Sequence, residues 1–144
     1  MNYVLAFIYD KFGNILLIRK NRPEALAGKL NGIGGKVEEN ELPIAAVLRE
    51  IKEETDLELD SNLLTYLGSF GNAGWSAPGK VYCYTTTVEN FDKVKQLTDE
   101  TLRILQYKKL ESSKIDCHAL AYIHMSAISE IHKKQTAFVT IPTL

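Results

Sequence analysis

Cysteine is scarce in this 144-residue chain: only Cys83 and Cys117 occur, far apart and in no Cys-x-x-Cys pair, which excludes a disulfide framework. A reducing, intracellular setting is the default for such usage. A surplus of one charge is also lacking, with 17 basic against 18 acidic residues and a formal net charge of −1. That balance argues against a protein that coats nucleic acid, which ordinarily needs a basic excess, but leaves room for one nucleotide. No hydrophobic run reaches membrane-spanning length. The apolar start, Met1 to Tyr9, has no basic leader or small-residue cleavage site and is broken by Asp10 and Lys11. The expectation is a cytoplasmic protein without membrane contact. Repeats, low-complexity segments and linkers are absent, so residues 1–144 are expected to form a single domain, with 45% hydrophobic residues to fill one core.

What is present reads as alternating strands and helices. Asn2 to Ile8 and Ile15 to Ile18 are β-branched and aromatic around a turn at Asp10 to Asn14, predicting a hairpin. Arg19 to Lys29 is a polar loop, and Leu30 to Val37 crowds Gly32, Gly34 and Gly35 around Ile33, where the backbone must bend or be approached closely. From Pro43 to Glu54, Ile44, Val47, Leu48 and Ile51 recur at helical spacing. Strands are expected at Leu63 to Phe70, Val81 to Val88 and Thr101 to Tyr107, a second helix over Cys117 to His132, and a short strand at Ala137 to Ile141. The sum is an α+β chain with a mixed sheet between helices.

The informative stretch is GGKVEENELPIAAVLREIKEETDL, Gly34 to Leu57. On a helix, Glu50, Glu53 and Glu54 stand at i, i+3 and i+4 and emerge together. Like charges so placed destabilise a helix by roughly half a kcal/mol per pair unless a cation compensates. Oxygen-only ligands suit Mg²⁺ or Mn²⁺ rather than zinc. A solvated acidic helix face, with Arg49 and Lys52 as surface partners, is the ordinary alternative for REIKEE alone.

The surrounding residues change that balance. The stretch resembles the Nudix box: Gly, five residues, Glu, seven residues, Arg-Glu, an aliphatic, any residue, Glu-Glu, any residue, Gly, an aliphatic. Gly35, Glu41, Arg49, Glu50, Ile51, Glu53, Glu54 and Leu57 match in register. At typical residue frequencies such a coincidence arises in fewer than about one chain in 100,000. Asp56 replaces the second glycine. If that position is left-handed, Asp tolerates it better than most residues, at about 1 kcal/mol.

The resemblance implies a Nudix-type α/β/α sandwich and Mg²⁺-dependent (or Mn²⁺-dependent) hydrolysis of a nucleoside diphosphate linkage. It further implies metal ligation by Glu50, Glu53, Glu54 and the carbonyl of Gly34, with Glu50 also a candidate base. Glu41 and Arg49 take supporting catalytic roles, and Arg49 suits a bidentate grip on a glutamate. Glu100 is the candidate distal ligand, with Asp99 in reserve, although Thr98-Asp99-Glu100 also suits a plain turn. Arg19, Lys20 and Lys36 flank the glycine loop and are candidate phosphate contacts, against the alternative of solvated surface charge.

Leu30 to Val37 is similar to the corresponding segment of MutT-type purine triphosphatases, including enzymes that sanitise oxidised purines. There the residue matching Asn31 can read the base, while a turn role is the alternative. His118 falls where relatives place a base-reading Asn or Asp, and Trp75 and Tyr122 are candidate stacking platforms. The expected activity is cleavage of a nucleoside triphosphate to monophosphate and pyrophosphate. ADP-ribose or dinucleoside polyphosphate hydrolysis, or a non-catalytic nucleotide-sensing module, are the alternatives. Removal of 5′ pyrophosphate from RNA is disfavoured by the charge balance. Expected partners are a nucleotide substrate and a second copy of the chain.

Overall fold

The hairpin signals at the start of the chain are realised as β1, Tyr3–Asp10, and β2, Asn14–Arg19, in a computed structural model that describes residues 1–22, 24, 27–71 and 79–132. Asp10 shapes the turn between them: its Oδ1 accepts from the Phe12 and Asn14 amides at 2.8 and 3.0 Å. The glycine-rich segment becomes β3, Leu30–Asn31, and β4, Ile33–Lys36. The strand β3 pairs with the end of β2 while β4 pairs antiparallel with the start of β1, Tyr3 opposite Lys36 and Ala6 opposite Ile33. The segment thus fills the fork where the hairpin strands part.

Helix α1 spans Pro43–Thr55, with proline in its first turn where no intrahelical donor is lost. There follow β5, Thr65–Gly71, β6, Lys80–Val88, and β7, Thr101–Gln106. Helix α2, Cys117–Ala127, runs on into a π-helical turn at Ile128–His132. Among the described residues the strands form a seven-stranded mixed sheet in which β1 and β6 run parallel, Tyr3 opposite Val81 through Asp10 opposite Val88. The other pairings are antiparallel, including β2 with β7.

Strand β1 is apolar without alternation because both of its faces are covered. Tyr3, Leu5, Phe7 and Tyr9 share one core layer with Ala119, Ile123 and Ala127 of α2. Val4, Ala6 and Ile8 share the other with Ala46, Val47 and Ile51 of α1. This is the α/β/α sandwich, and each large buried side chain contributes roughly 1.5–3 kcal/mol by leaving water. Tyr9, fully buried, satisfies its hydroxyl on Ser126 at 2.7 Å, which seats α2 on the sheet.

Two positions of the expected helical stripes depart from the periodicity. Leu48 is only half-buried, and Ala46 takes its place against the sheet. Ile128 is exposed because the π turn begins there and its wider winding rotates the side chain off the α2 stripe. The expected strand at 137–141 and Trp75 lie outside the described residues. Tyr122 is half-buried, its hydroxyl donating to the Ser69 carbonyl at 2.8 Å and its ring packed 5.2 Å from that of Phe70. No helix among the described residues is long and apolar enough to cross a membrane.

Asp56 ends α1 in the left-handed region, φ 66° and ψ 7°, with its amide bonded to the Lys52 carbonyl at 3.0 Å. Its carboxylate faces Lys52 at 2.9 Å and Lys95 at 3.7 Å. Because an alanine Cβ is disfavoured at that φ and glycine is not, the Asp56→Ala protein should melt about 4 °C below Asp56→Gly. Differential scanning calorimetry of the pair checks this, and equal midpoints would refute the left-handed cap.

Candidate active site

Arg49, on α1, sits at the centre of the polar network. Its Nε and Nη2 donate to Oε2 and Oε1 of Glu41 at 2.8 and 2.9 Å, a bidentate grip on a residue two positions ahead of the helix. Nη1 donates to Glu50 at 2.9 Å and to Glu53 at 3.2 Å, and Nη2 reaches the Lys36 carbonyl at 2.9 Å. These bonds engage all the N–H donors a guanidinium has. The Arg49 guanidinium and the Glu38 amide hold the Glu41 carboxyl well below the usual range, at about 2. Glu41 in turn raises the Arg49 pKa further, burial opposes the shift, and Glu50 adds to it.

Gly34 and Gly35 are required by close approach. A Cβ on Gly34 would stand 1.8 Å from the Val4 carbonyl oxygen, so only glycine lets β4 lie against β1 there. A Cβ on Gly35 would stand 2.5 Å from the Glu50 carboxyl, so the bare backbone makes room for that side chain.

The C-terminal end of α1 recruits a distant loop. Thr55 and Glu54 carbonyls, orphaned at the helix end, accept from the Lys95 and Leu97 amides at 2.9 and 3.1 Å. The loop so pinned delivers Glu100, which is 7% exposed. Glu100 accepts from Lys20 Nζ at 3.1 Å and from the Asn21 amide. Glu50, Glu53, Glu54, Asp99 and Glu100 then line one cavity of about 470 Å³ together with Lys20 and Arg22. A cavity of about 580 Å³ at the opposite end of the β2–β7 pair is larger, but it lacks this convergence of like charges. Chemistry, not size, selects the site.

The excess negative charge registers on Glu54, whose carboxyl is pushed up to about 8 by burial first and by its hydrogen bond and charge repulsion with Glu50 next. Lys20 opposes the shift and Glu100 adds to it. An oxygen-only set with surplus charge fits a hard divalent cation. As the side chains stand, no three Asp, Glu, His or Cys groups among the described residues form a ready ligand cluster. The reason is visible: Glu50 and Glu53 are turned to Arg49, and Glu100 to Lys20.

Other residues singled out in the sequence lie apart. Arg19 is exposed at the end of β2, and Lys36 contributes its carbonyl while its side chain is exposed. Asn31 is 1% exposed, its amide donating to Asp116 Oδ2 at 2.9 Å and its Oδ1 accepting from Gly32. Asp116, 2% exposed, escaped the sequence reading. Its place directly before the apolar periodicity of α2 is a helix-start signal that could have flagged it. His118 is the second residue of α2, and its side chain lies outside the described residues.

The NUDIX domain family model matches residues 1–122 of the chain. Among solved structures, the MutT NUDIX hydrolase from Burkholderia pseudomallei is 23% identical with a TM-score of 0.71, over 85% of this chain and 95% of that one. The NUDIX domain of Shewanella oneidensis NrtR, complexed with ADP ribose, is 17% identical with a TM-score of 0.71, over 86% of this chain and 84% of that one. The E. coli dihydroneopterin triphosphate pyrophosphohydrolase is 14% identical with a TM-score of 0.66, over 92% and 95%. At these identities the likeness is one of fold. None of the curated proteins compared matches the chain in sequence.

The Glu54 shift has a pH consequence. Its folded pKa lies above the ordinary 4.5, so the folded state holds the extra proton and stability falls as pH rises from about 4.5 to about 8. Chelator-treated protein should therefore melt lower at pH 8 than at pH 5. Glu54→Gln should flatten that slope, and a variant with an undiminished slope would place its origin elsewhere.

Proposed function

Because the chain belongs to the NUDIX domain family, we propose that it is a divalent-metal-dependent pyrophosphohydrolase that cleaves a nucleoside triphosphate to the monophosphate and pyrophosphate. The observation that carries this reading is the meeting of Glu50, Glu53 and Glu54 from one helix with Glu100 from a loop pinned to that helix, around a single cavity. On this reading residues 1–144 act as one domain.

Glu53 and Glu54 are the principal ligands for Mg²⁺ or Mn²⁺, with Glu50, Glu100 and the Gly34 carbonyl completing the set. When bound, such an ion neutralises charge on the phosphate oxygens and acidifies water. Glu50, positioned by Arg49 on one side and by the bare backbone of Gly35 on the other, takes the proton of the attacking water. The oxygen attacks one phosphorus of the diphosphate linkage, the bond from that phosphorus to the bridging oxygen breaks, and monophosphate and pyrophosphate separate. Arg49 and Glu41 keep Glu50 in place and do not touch the reacting atoms. Lys20, which lines the cavity, binds phosphate from the mouth of β2. Arg19 and Lys36, outside that lining, are further phosphate candidates, and His118 is a candidate contact for the base.

Base preference rests on Asn31. Its amide is fixed by Asp116 and Gly32, so a purine edge would be read alongside those bonds. The ADP ribose held by the NrtR domain supports a second reading, hydrolysis of ADP-ribose or of another nucleoside diphosphate derivative. A non-catalytic sensing module is the weaker reading, because the box glutamates are all kept.

Incubation with a nucleotide panel and Mg²⁺, with products identified by chromatography, should yield monophosphate and pyrophosphate from a triphosphate. EDTA should abolish the reaction and Glu53→Gln should slow it about 100-fold or more. Full activity in that variant would sink the ligand assignment. Asn31→Ala should change the purine-to-pyrimidine ratio of kcat/KM at least about fivefold. An unchanged ratio with a lowered melting point would assign Asn31 to the fold alone.

A further inference from the structure

The carboxylate cavity already contains a cation of its own. Lys20 follows β2 directly, and both of its backbone groups are committed: its amide donates to the Lys29 carbonyl and its carbonyl accepts from Gly28, each at 2.8 Å. The side chain is therefore launched from a fixed point. Its Nζ stands 3.1 Å from Glu100, 26% of the side chain remains exposed, and Glu54 feels its charge. Glu100 has its other oxygen on the Asn21 amide, so its carboxylate is held from both ends by residues at the mouth of β2. Lysine suits such a post, because its ammonium is a point charge on a flexible stem, without the planar fork that locks Arg49 onto Glu41.

We infer that Lys20 is a tethered counter-ion that competes with the divalent cation for Glu100, and that the phosphate chain of the substrate relieves this competition by drawing the ammonium onto itself. The inference rests on the metal-site reading above. Its physical basis is exchange of partners. A free ion approaching Glu100 must displace an ammonium already at hydrogen-bond distance. A nucleotide arriving with the ion offers that ammonium another anion, so the displacement no longer leaves a charge unpaired. By reciprocity of linked binding, nucleotide tightens metal binding and metal tightens nucleotide binding by the same factor, and Lys20 carries part of it.

The test is Mn²⁺ binding to the full chain, measured by calorimetry with and without a non-hydrolysable nucleoside triphosphate analogue. Lys20→Met should bind Mn²⁺ about 5–10-fold more tightly than wild type without nucleotide, and the gain from adding the analogue should shrink by a similar factor. Lys20→Arg, whose planar fork can lock onto Glu100, should bind Mn²⁺ no more tightly than wild type. Lys20→Met in a Glu100→Gln background should show little further gain, which separates action through Glu100 from a general change of charge. A merely structural role predicts weaker Mn²⁺ binding, so unchanged or weaker binding by Lys20→Met, with a native circular dichroism spectrum, overturns the inference. If Lys20→Met fails to fold, Lys20→Gln carries the same comparison. A wild-type chain that binds no Mn²⁺ overturns the metal-site reading and this inference together. Wild-type binding that Glu53→Gln weakens and Lys20→Met leaves unchanged overturns this inference alone.

Discussion

The guanidinium of Arg49 is the interaction on which the polar half of this molecule depends. One planar group joins the loop before α1 through Glu41, the helix through Glu50 and Glu53, and the glycine strand through the Lys36 carbonyl. Without it, glutamates one helical turn apart would repel and splay into solvent. With it, they are ordered before any ligand arrives. Arginine alone among the side chains has enough donors in a rigid fork for this, which is why a lysine could not substitute.

The rest of the site follows from helix chemistry. The end of α1 leaves carbonyls without partners, the chain from Lys95 to Leu97 supplies them, and the same segment brings Glu100 within reach of the helix carboxylates. A structural need of the backbone thereby delivers a functional group. The glycines of β4 serve two needs in the same way, since Gly34 allows β4 to lie against β1 and Gly35 leaves space for Glu50.

Much of this was legible in the sequence, because the signals were local. Helical spacing placed Glu50, Glu53 and Glu54 together, and the box pattern marked Asp56 as the position whose backbone turns left-handed, as its φ of 66° confirms. The β-branched and aromatic run of β1 read as a hairpin strand, and the structure adds that both of its faces are covered. What was not legible depends on separation along the chain. Lys20 and Glu100 are 80 residues apart, and Asn31 and Asp116 are 85 apart. No periodicity links such residues; only the sheet does. Leu48 and Ile128 misled for a different reason: hydropathy reports a tendency to be buried, whereas the register of α1 and the π turn after α2 decide which positions meet the core.

The parallel pairing of β1 with β6 governs how the chain reaches this state. Strand β1 must wait for Val81 to Val88 before its second edge is covered, and a long loop has to close before that contact contributes. During synthesis at roughly 5–20 residues per second, the apolar face of the N-terminal hairpin stays uncovered for several seconds at least. An apolar strand left open for that interval is exposed to aggregation, and substitutions that slow its completion would lower the yield of folded chain while leaving the finished molecule intact.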